Sequence, residues 1–347
     1  MRFAIAIGLL AVLFAAPARG AVTANGEIAG LKAKFVDVKG IRTRYYEMGQ
    51  GEPMVLVHGG GWSGHSSANA WSKNIPGLAR RFHVYAPDKI GSGMTDNPKD
   101  DQDYGIQGEI DHLYQFILTL NLGKVHLVGS SRGGGDILFL ALEHPDVVKS
   151  LVISDSMTAA PLGQLTYPPE VLAKCPKEPA SEEWKCRLQA ISFRPDLAFD
   201  DEYFEAGEYM ASLPKSQETA AKVKAGAGAP LFDMRPNSSF PEWKMKWLDR
   251  VKNEGILQVP VLLYWGRNDP SVTVQNEVEL FDVLGEKNPR VRLIIVNKAG
   301  HYHFREYPEE FNHNVIHFLR SWERQADGGG HSGKCRSRDG ASQNVAQ

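Results

Sequence analysis

The chain has 347 residues, of which 42% are hydrophobic and 23% are charged, an ordinary composition for a globular protein. Its formal net charge is −2 at pH 7, and no cluster of Lys and Arg residues interleaved with aromatic residues occurs along it. Nucleic acid is therefore not expected as a partner, because binding to phosphates requires a local basic excess. The length favours one large domain that carries an inserted lid.

The first 21 residues have the pattern of a signal peptide for export. Arg2 is followed by an apolar run over residues 3–15 and then by the small residues Ala16, Ala18 and Gly20. This run is shorter than the roughly 20 residues that span a bilayer, which weighs against the alternative of an uncleaved membrane anchor. We expect an exported protein, periplasmic or secreted, without a stable membrane anchor after cleavage.

Export permits disulfide bonds. Cys175 and Cys186 are close in sequence and are candidates for such a bond, whereas Cys335 lies in the C-terminal tail. The alternative is that the cysteines remain unpaired, since sequence does not give the geometry. The tail, residues 325–347, is rich in Gly, Ser and charged residues and lacks apolar periodicity, so we predict that it is disordered.

Strands and helices alternate through most of the remaining chain. Residues 34–48 alternate around Lys39 and Gly40, which predicts an opening hairpin. Strands are further predicted at residues 54–57, 82–86, 124–128, 149–154, 259–265 and 291–296, and helices at residues 70–81, 106–122, 132–144, 276–284 and 308–322. This order predicts an α/β fold with a mostly parallel, doubly wound sheet of eight strands.

The alternation lapses between the sixth and seventh predicted strands. Prolines cluster there at Pro168, Pro169, Pro176 and Pro179, and aromatic-rich helical segments follow. We predict a helical cap, residues 157–255, inserted after strand 6 into a core formed by residues 22–156 and 256–324.

A serine lies at the junction between a buried strand and a helix. Gly129 and Gly133 flank Ser131 at the spacing of a G-x-S-x-G nucleophile elbow, in which small residues allow a sharp turn. Ser130 has the wrong spacing to these glycines. Ser131 is therefore the predicted nucleophile.

A nucleophilic serine requires a base and a group that orients the base. His301 follows the flexible Gly300 after the last strand and is the predicted base, with His303 as the alternative. Asp269, in the loop after the penultimate strand, is the predicted acid. Asp155, at the end of the sixth strand, is the alternative acid.

The oxyanion that forms during acyl transfer requires backbone N–H donors. Arg132, at the start of the helix after Ser131, and Gly60, in a run of three glycines, are predicted to donate them. A tight turn alone is the other interpretation of the glycine run. The Arg132 side chain either binds a substrate carboxylate or forms an ion pair with a neighbouring acidic residue.

Five segments carry a resemblance to a known family. VHGGGW (57–62), PDKIGSGMTD (87–96), LVGSSRGGG (127–135), WGRNDP (265–270) and GHYHFREYPEEFN (300–312) resemble α/β-hydrolases. Within them the chain resembles, over roughly residues 34–324, meta-cleavage-product hydrolases, which split carbon–carbon bonds of vinylogous 1,5-diketone acids, and their esterase relatives. The resemblance implies the α/β-hydrolase fold, a triad of Ser131, Asp269 and His301, and oxyanion donors at Gly60 and Arg132.

The resemblance also bears on the substrate. It implies that Asn74 helps to position the substrate. The lid arginine that binds the substrate carboxylate in this family has no clear counterpart here, and Arg187 and Arg194 are the candidates. Further substrate contacts are predicted for Trp62, Gly61 and Tyr302. The chain departs from the family at Arg132, where an apolar residue is usual, at Trp62, where a proline is usual, in the lid arginine and in its export signal. We therefore predict hydrolysis of a small, largely apolar ester, thioester or lactone, with carbon–carbon cleavage as the alternative. The predicted partner is a small-molecule substrate, and a homodimer is compatible with the sequence.

Two other classes of protein compete with a serine hydrolase. His301-x-His303 and His313-x-x-x-His317 have the spacing of metal ligands, but no acidic ligand motif accompanies them. The second class is a non-catalytic binding module of the same fold, which typically lacks a triad residue, whereas this chain has all three. We therefore predict neither a metal nor a cofactor.

Overall fold

The computed structural model describes residues 26–161, 173–228 and 238–328. Its centre is an eight-stranded sheet in the order β1-β2-β4-β3-β5-β6-β7-β8, in which β1 and β2 and also β2 and β4 are antiparallel and the other neighbours are parallel. The strands are β1 (Ala33–Val38), β2 (Ile41–Met48), β3 (Glu52–Val57), β4 (Phe82–Pro87), β5 (Val125–Ser130), β6 (Val148–Ser154), β7 (Val261–Gly266) and β8 (Val291–Val296). The predicted fold class is confirmed.

The first two strands form the predicted hairpin. Lys39 and Gly40 both have positive φ, 53° and 82°, as the two central residues of a type I′ turn require. The turn therefore fixes the register in which Val38 pairs with Ile41.

Helices cover both faces of the sheet. The helices among the described residues are α1 (Ile75–Leu78), α2 (Ile106–Thr119), α3 (Arg132–Glu143), α4 (Ala180–Ala190), α5 (Pro195–Ala198), α6 (Asp201–Ala211), α7 (Pro214–Ala225), α8 (Phe240–Glu254), α9 (Val274–Gly285), α10 (His303–Glu306) and α11 (Pro308–Gly328). Side chains alternate along each strand. Val55 and Val57 therefore join the core cluster that contains residues of α2, α3, α8 and α9, while Met54 and Leu56 join the cluster that contains residues of α1 and α11.

Two helices differ in extent from the sequence prediction. The helix predicted at residues 70–81 is reduced to α1, because Pro76 fits only the first turn of a helix. Helix α11 continues to Gly328, four residues into the segment predicted to be disordered. Residues 329–347, and the predicted signal peptide, lie outside the described residues.

The cap lies between β6 and β7, and its helices α4 to α6 contribute to a cluster of aromatic and aliphatic side chains at the sheet edge. Cys175 and Cys186 form a disulfide with their Cα atoms 5.6 Å apart, which joins the segment before α4 to α4 itself. The cluster comprises Ile28, Leu188, Ala198, Phe199, Tyr203, Phe204 and Ala206, with Trp184 and Tyr302 packed against it.

Helix α8 belongs to the core layer rather than to the cap. Its Phe240 and Trp243 pack against Phe139 of α3, with ring centroids 6.2 and 4.6 Å apart. Leu248 and Val251 are buried in the same core cluster. Helix α8 thus lies within the predicted cap range, residues 157–255, but packs on the core. An aromatic helical pattern in sequence does not reveal which layer receives its apolar face. In the described part of the chain, no helix is long and apolar enough to cross a membrane.

Candidate active site

Ser131 stands at a sharp turn between β5 and α3. Its φ and ψ are 53° and −124°, a backbone conformation that side-chain-bearing residues rarely adopt. A Cβ at Gly129 would lie 2.3 Å from Gly133 O, and one at Gly133 would lie 2.5 Å from Val57 O, so only glycine fits at either position. The turn thus presents the serine at the carboxyl edge of the sheet, as a nucleophile elbow requires.

Asp269 and His301 meet at the same edge, in the loops that follow β7 and β8. His301 Nδ1 lies 2.6 Å from Asp269 Oδ2, and both side chains are at most 5% exposed. Burial opposes protonation of the ring, but the Asp269 carboxylate outweighs it and raises the pKa of His301 above its ordinary 6.5. The carboxylate holds the proton on Nδ1, which leaves Nε2 as the basic atom.

Ser271 completes this pair and was missed from the sequence. Its N–H and its hydroxyl group both donate to Asp269 Oδ1, at 2.7 and 2.6 Å, and its Oγ lies 3.2 Å from His301 Nδ1. The signal was present as Asp-x-Ser, the pattern of a side chain that accepts from the backbone two residues later. Both Asp269 oxygens are thereby held, so the carboxylate has one orientation toward the ring.

The glycine loop after β3 packs directly against the elbow. A Cβ at Gly59 would lie 2.7 Å from Ser131 Cβ. His58 Nδ1–H donates to Gly59 O at 2.7 Å, and Lys89 Nζ donates to Gly60 O at 2.8 Å. Because C=O and N–H point in opposite directions across a trans peptide, these bonds turn the Gly60 N–H away from His58. The predicted oxyanion donor is therefore fixed by the residues behind the loop.

The Arg132 side chain forms an ion pair inside the protein. Its Nε donates to Glu109 Oε2 at 2.5 Å, and Lys89 lies 3.0 Å from Glu109 and 2.9 Å from Asp136. These four side chains form a buried charge cluster of two cations and two carboxyl groups below the elbow and the glycine loop. Of the two interpretations of Arg132, the structure shows the ion pair, while its backbone N–H starts α3, where no intrahelical acceptor exists.

We expect the substitution Arg132→Met to destabilise the protein. Methionine keeps the backbone N–H but removes one of the two cations that stabilise the Glu109 carboxylate, and breaking a buried ion pair costs about 3–5 kcal/mol. Urea denaturation measures the free energy of unfolding. Arg187→Met, which removes an exposed pair with Glu183, serves as the control and should leave that free energy nearly unchanged. A similar small effect of both substitutions would contradict the importance of the cluster.

The loss caused by Arg132→Met should be larger at about pH 8 than at about pH 6. Burial and Glu109 raise the pKa of Asp136 to about 7, and the Arg132 charge partly offsets this. Without Arg132 the folded-state pKa rises further. When the pKa of a carboxyl group is higher in the folded state than in the unfolded state, the free energy of unfolding falls as the pH rises from the unfolded-state pKa to the folded-state pKa. The variant therefore continues to lose stability above pH 7, where the unsubstituted protein no longer does.

Asn74, a predicted substrate contact, is held by other segments of the protein. It is fully buried, and its Nδ2 donates to Phe304 O at 2.8 Å and to Asn312 Oδ1 at 3.2 Å. Asn74 therefore joins the start of α1 to α10 and α11. The side-chain amide of Asn74 can bind either a substrate or buried groups of the protein. Its position in the sequence does not tell which of these roles it has.

Trp62 and Gly61 pack on the outer side of the glycine loop. Trp62 is 5% exposed, and its ring lies 5.0 Å from that of Tyr104. A Cβ at Gly61 would lie 3.1 Å from Glu109 Oε1 and 3.2 Å from Arg132 Cδ, so Gly61 packs on the buried charge cluster. The structure thus gives both residues packing partners within the protein.

Tyr302, the remaining predicted contact, connects His301 to the cap. Its ring lies 5.3 Å from that of His301 and 4.9 Å from that of Phe199. The aromatic wall that continues into the cap consists of Phe199, Phe204, Tyr203 and Trp184, with His65 stacked on Trp184. Burial lowers the pKa of His65 to about 4, so this histidine is uncharged at neutral pH.

The loop that carries His301 is also attached to the cap through the backbone. The His301 N–H donates to Ile191 O at 2.9 Å. Glu306 accepts the N–H groups of Phe193 and Gly300, at 3.0 and 3.1 Å. The position of the base is therefore coupled to that of the segment that follows α4.

The other sequence candidates lie elsewhere. Arg187 and Arg194 are about half exposed and pair with Glu183 and Asp196. His313 and His317 are exposed on α11, and neither belongs to a group with metal-ligand spacing in residues 26–161, 173–228 and 238–328. One buried group with such spacing contains Asp269 and His301 themselves, together with Asp155.

The chain is similar to known proteins in sequence and in fold. Residues 52–306 match the sequence model of the alpha/beta hydrolase fold. The chain is 29% identical over 303 residues to 2-hydroxy-6-oxo-6-(2'-aminophenyl)hexa-2,4-dienoic acid hydrolase of Metapseudomonas resinovorans, covering 85% of this chain and 92% of that protein. It is 30% identical over 287 residues to 2-hydroxymuconate semialdehyde hydrolase of Pseudomonas sp. (strain CF600), covering 81% and 91%.

A solved structure is similar along nearly its whole length. The meta-cleavage product hydrolase from Pseudomonas fluorescens IP01 superimposes with a TM-score of 0.66 at 25% identity, covering 84% of this chain and 98% of that chain. The similarity therefore includes the core sheet and much of the cap.

Proposed function

Because the chain belongs to the α/β-hydrolase family, we propose that it is a serine hydrolase with Ser131 as nucleophile, His301 as general base and Asp269 as the acid that orients the base. The observation that carries this proposal is the 2.6 Å hydrogen bond between His301 Nδ1 and Asp269 Oδ2 at the sheet edge that also bears the elbow. This hydrogen bond leaves His301 Nε2 free to accept the proton of the Ser131 hydroxyl group.

The reaction then proceeds in two halves. Ser131 Oγ attacks the substrate carbonyl carbon as His301 Nε2 takes its proton, and the N–H groups of Gly60 and Arg132 stabilise the oxyanion. The imidazolium returns the proton to the leaving carbon or oxygen as its bond to the carbonyl carbon breaks. Water, deprotonated by His301, then attacks the acyl-enzyme and releases the carboxylic acid and Ser131.

The proposed substrate is a conjugated oxo acid that is cleaved at the carbon–carbon bond beside its ketone. Both relatives named above are hydrolases of unsaturated oxo compounds. Tyr302 and Phe199 place an aromatic wall beside His301, which suits an aryl or alkyl group on the ketone. Conjugation is needed because the leaving carbon carries an electron pair until it is protonated.

One observation favours ester hydrolysis as a second candidate. Two buried cations, Lys89 under the glycine loop and Arg132 next to Ser131, already pair with Glu109 and Asp136. A substrate carboxylate would therefore have to compete with buried carboxylates for them. A neutral aryl ester makes no such demand and fits the same aromatic wall.

A substrate panel separates the two candidates. We expect kcat/KM for a phenyl-substituted oxo-hexadienoate to exceed that for a phenyl ester of matched size by at least about tenfold. The loss of dienoate absorbance and the release of phenol give the two rates, and the Ser131→Ala variant provides the background. The reverse ranking would establish the ester as the better substrate. Failure of a fluorophosphonate to label Ser131 would overturn both.

We also propose that the protein is exported. The Cys175–Cys186 disulfide supports this, because disulfides persist in oxidising compartments and are rare in the cytosol. Cell fractionation with a C-terminal epitope tag tests it. Activity confined to the cytosolic fraction would contradict export.

A further inference from the structure

A second carboxyl group lies directly behind the Asp269–His301 pair. Asp155 follows β6 at the carboxyl edge of the sheet and is fully buried. One of its oxygens, Asp269 Oδ and a His301 ring nitrogen all lie within 4.8 Å of one another. Its φ is 43°, which is unusual for a residue with a side chain and indicates that surrounding contacts hold the backbone.

Asp155 contacts both loops that carry the pair. Its Oδ1 accepts the N–H of Gly266 at 3.0 Å, and Gly266 O in turn accepts the N–H of Asp269 at 3.1 Å. Its Oδ2 lies 2.5 Å from His303 Nε2, and the His303 N–H donates to Gly300 O at 3.1 Å. One side chain therefore connects the loop of the acid to the loop of the base.

The surroundings of this carboxyl group oppose its ionisation. Burial and the nearby Asp269 charge raise the pKa of Asp155 well above 3.8, and burial lowers the pKa of His303 to about 3. Ser154 Oγ lies 3.2 Å from Asp155 Oδ2 and 2.8 Å from His303 Nε2, so the three side chains form one buried hydrogen-bonded group.

Two other acidic side chains, Glu277 and Glu306, belong to the same surroundings. Glu277 is fully buried, and burial together with Asp155 raises its pKa to about 10, so it is neutral. Burial raises the pKa of Glu306, which accepts the N–H groups of Gly300 and Phe193. Asp269 thus provides the negative charge that faces His301.

We propose that Asp155 is a positioning residue whose carboxyl group joins Gly266 to His303 and thereby holds Asp269 and His301 in contact. This inference rests on the proposed triad. It also explains why two acids and two histidines occur together: Asp269 and His301 form the reacting pair, and Asp155 and His303 form the pair that keeps their loops in place.

The test compares Asp155→Asn with Asp155→Ala. Asparagine reproduces a neutral carboxyl group, since its oxygen accepts from Gly266 and its amide donates to His303. We expect Asp155→Asn to keep the rate of fluorophosphonate labelling at Ser131 within about threefold, and Asp155→Ala to lower it by about tenfold to a hundredfold through misplacement of the base. The acid limb of the labelling rate against pH should stay in place for Asp155→Asn.

Two results would overturn the proposal. A labelling rate for Asp155→Asn as low as that for Asp155→Ala, or an acid limb displaced to lower pH, would show that an ionised carboxylate is required. Full activity of Asp155→Ala would show that no positioning takes place.

A second variant applies if Asp155→Ala does not fold. His303→Phe removes the partner of Asp155 Oδ2 within the same aromatic surroundings, and we expect it to lower the labelling rate as Asp155→Ala would. Labelling does not depend on the substrate, and its complete absence in the unsubstituted enzyme identifies a failure of the proposed triad instead.

Discussion

Replacement of Ser131 by alanine is expected to abolish turnover of every substrate and to leave the fold unchanged. The elbow tolerates alanine as it tolerates serine, because both have a Cβ and the sharp turn depends on the flanking Gly129 and Gly133. Loss of the nucleophile in serine hydrolases lowers kcat by about a million-fold. The measurements are the rate on the substrate panel and thermal unfolding of the purified variant.

Ser130→Ala is the matched control. Ser130 is the neighbouring serine, is 2% exposed, and ends β5 with its backbone paired to Ser154. It should keep activity within about tenfold, because it does not stand at the turn. Near-native hydrolysis by Ser131→Ala, or an equal loss in both variants, would remove Ser131 from its proposed role.

The features of this protein that could be predicted from its sequence are those that depend on short local patterns. The two glycines around Ser131 leave few other local structures for the chain, and the alternating strand residues specify which side chains enter each core layer. Asp269 was identified by topology, because the carboxyl ends of parallel strands meet at one edge.

What sequence did not predict depends on contacts between distant segments. Arg132 pairs with Glu109, which lies 23 residues earlier on α2, and only the packing of α2 against the elbow brings them together. Asn74 bonds Asn312 across 238 residues. The apolar face of α8 is plain in sequence, but its partner Phe139 is not. The partners of buried polar side chains therefore become known only from the folded structure.

Asp269→Asn is expected to lower kcat by about a thousandfold to ten-thousandfold. The amide cannot hold the proton on His301 Nδ1 as the carboxylate at 2.6 Å does, and it offers no charge to stabilise the imidazolium. Because Asp269 raises the pKa of His301, the acid limb of kcat/KM should lie above pH 6.5 in the unsubstituted enzyme. A base acts when neutral, so removal of the charge should displace the limb of the residual activity to lower pH.

Asp155→Asn is the decisive comparison for Asp269→Asn, since both replace a buried carboxyl group at the same sheet edge. The Asp155 variant should retain most activity, because asparagine can keep the contacts of Asp155 with Gly266 and His303. The reverse order of losses would assign the orienting role to Asp155, at the end of β6.

The pH profile gives a second test. An acid limb of kcat/KM that remains above pH 6.5 in Asp269→Asn would show that a charge other than that of Asp269 sets the pKa of His301. In that case the Asp155 carboxyl group, one oxygen of which lies within 4.8 Å of a His301 ring nitrogen, would be the ionised group, and Asp155 rather than Asp269 would orient the base.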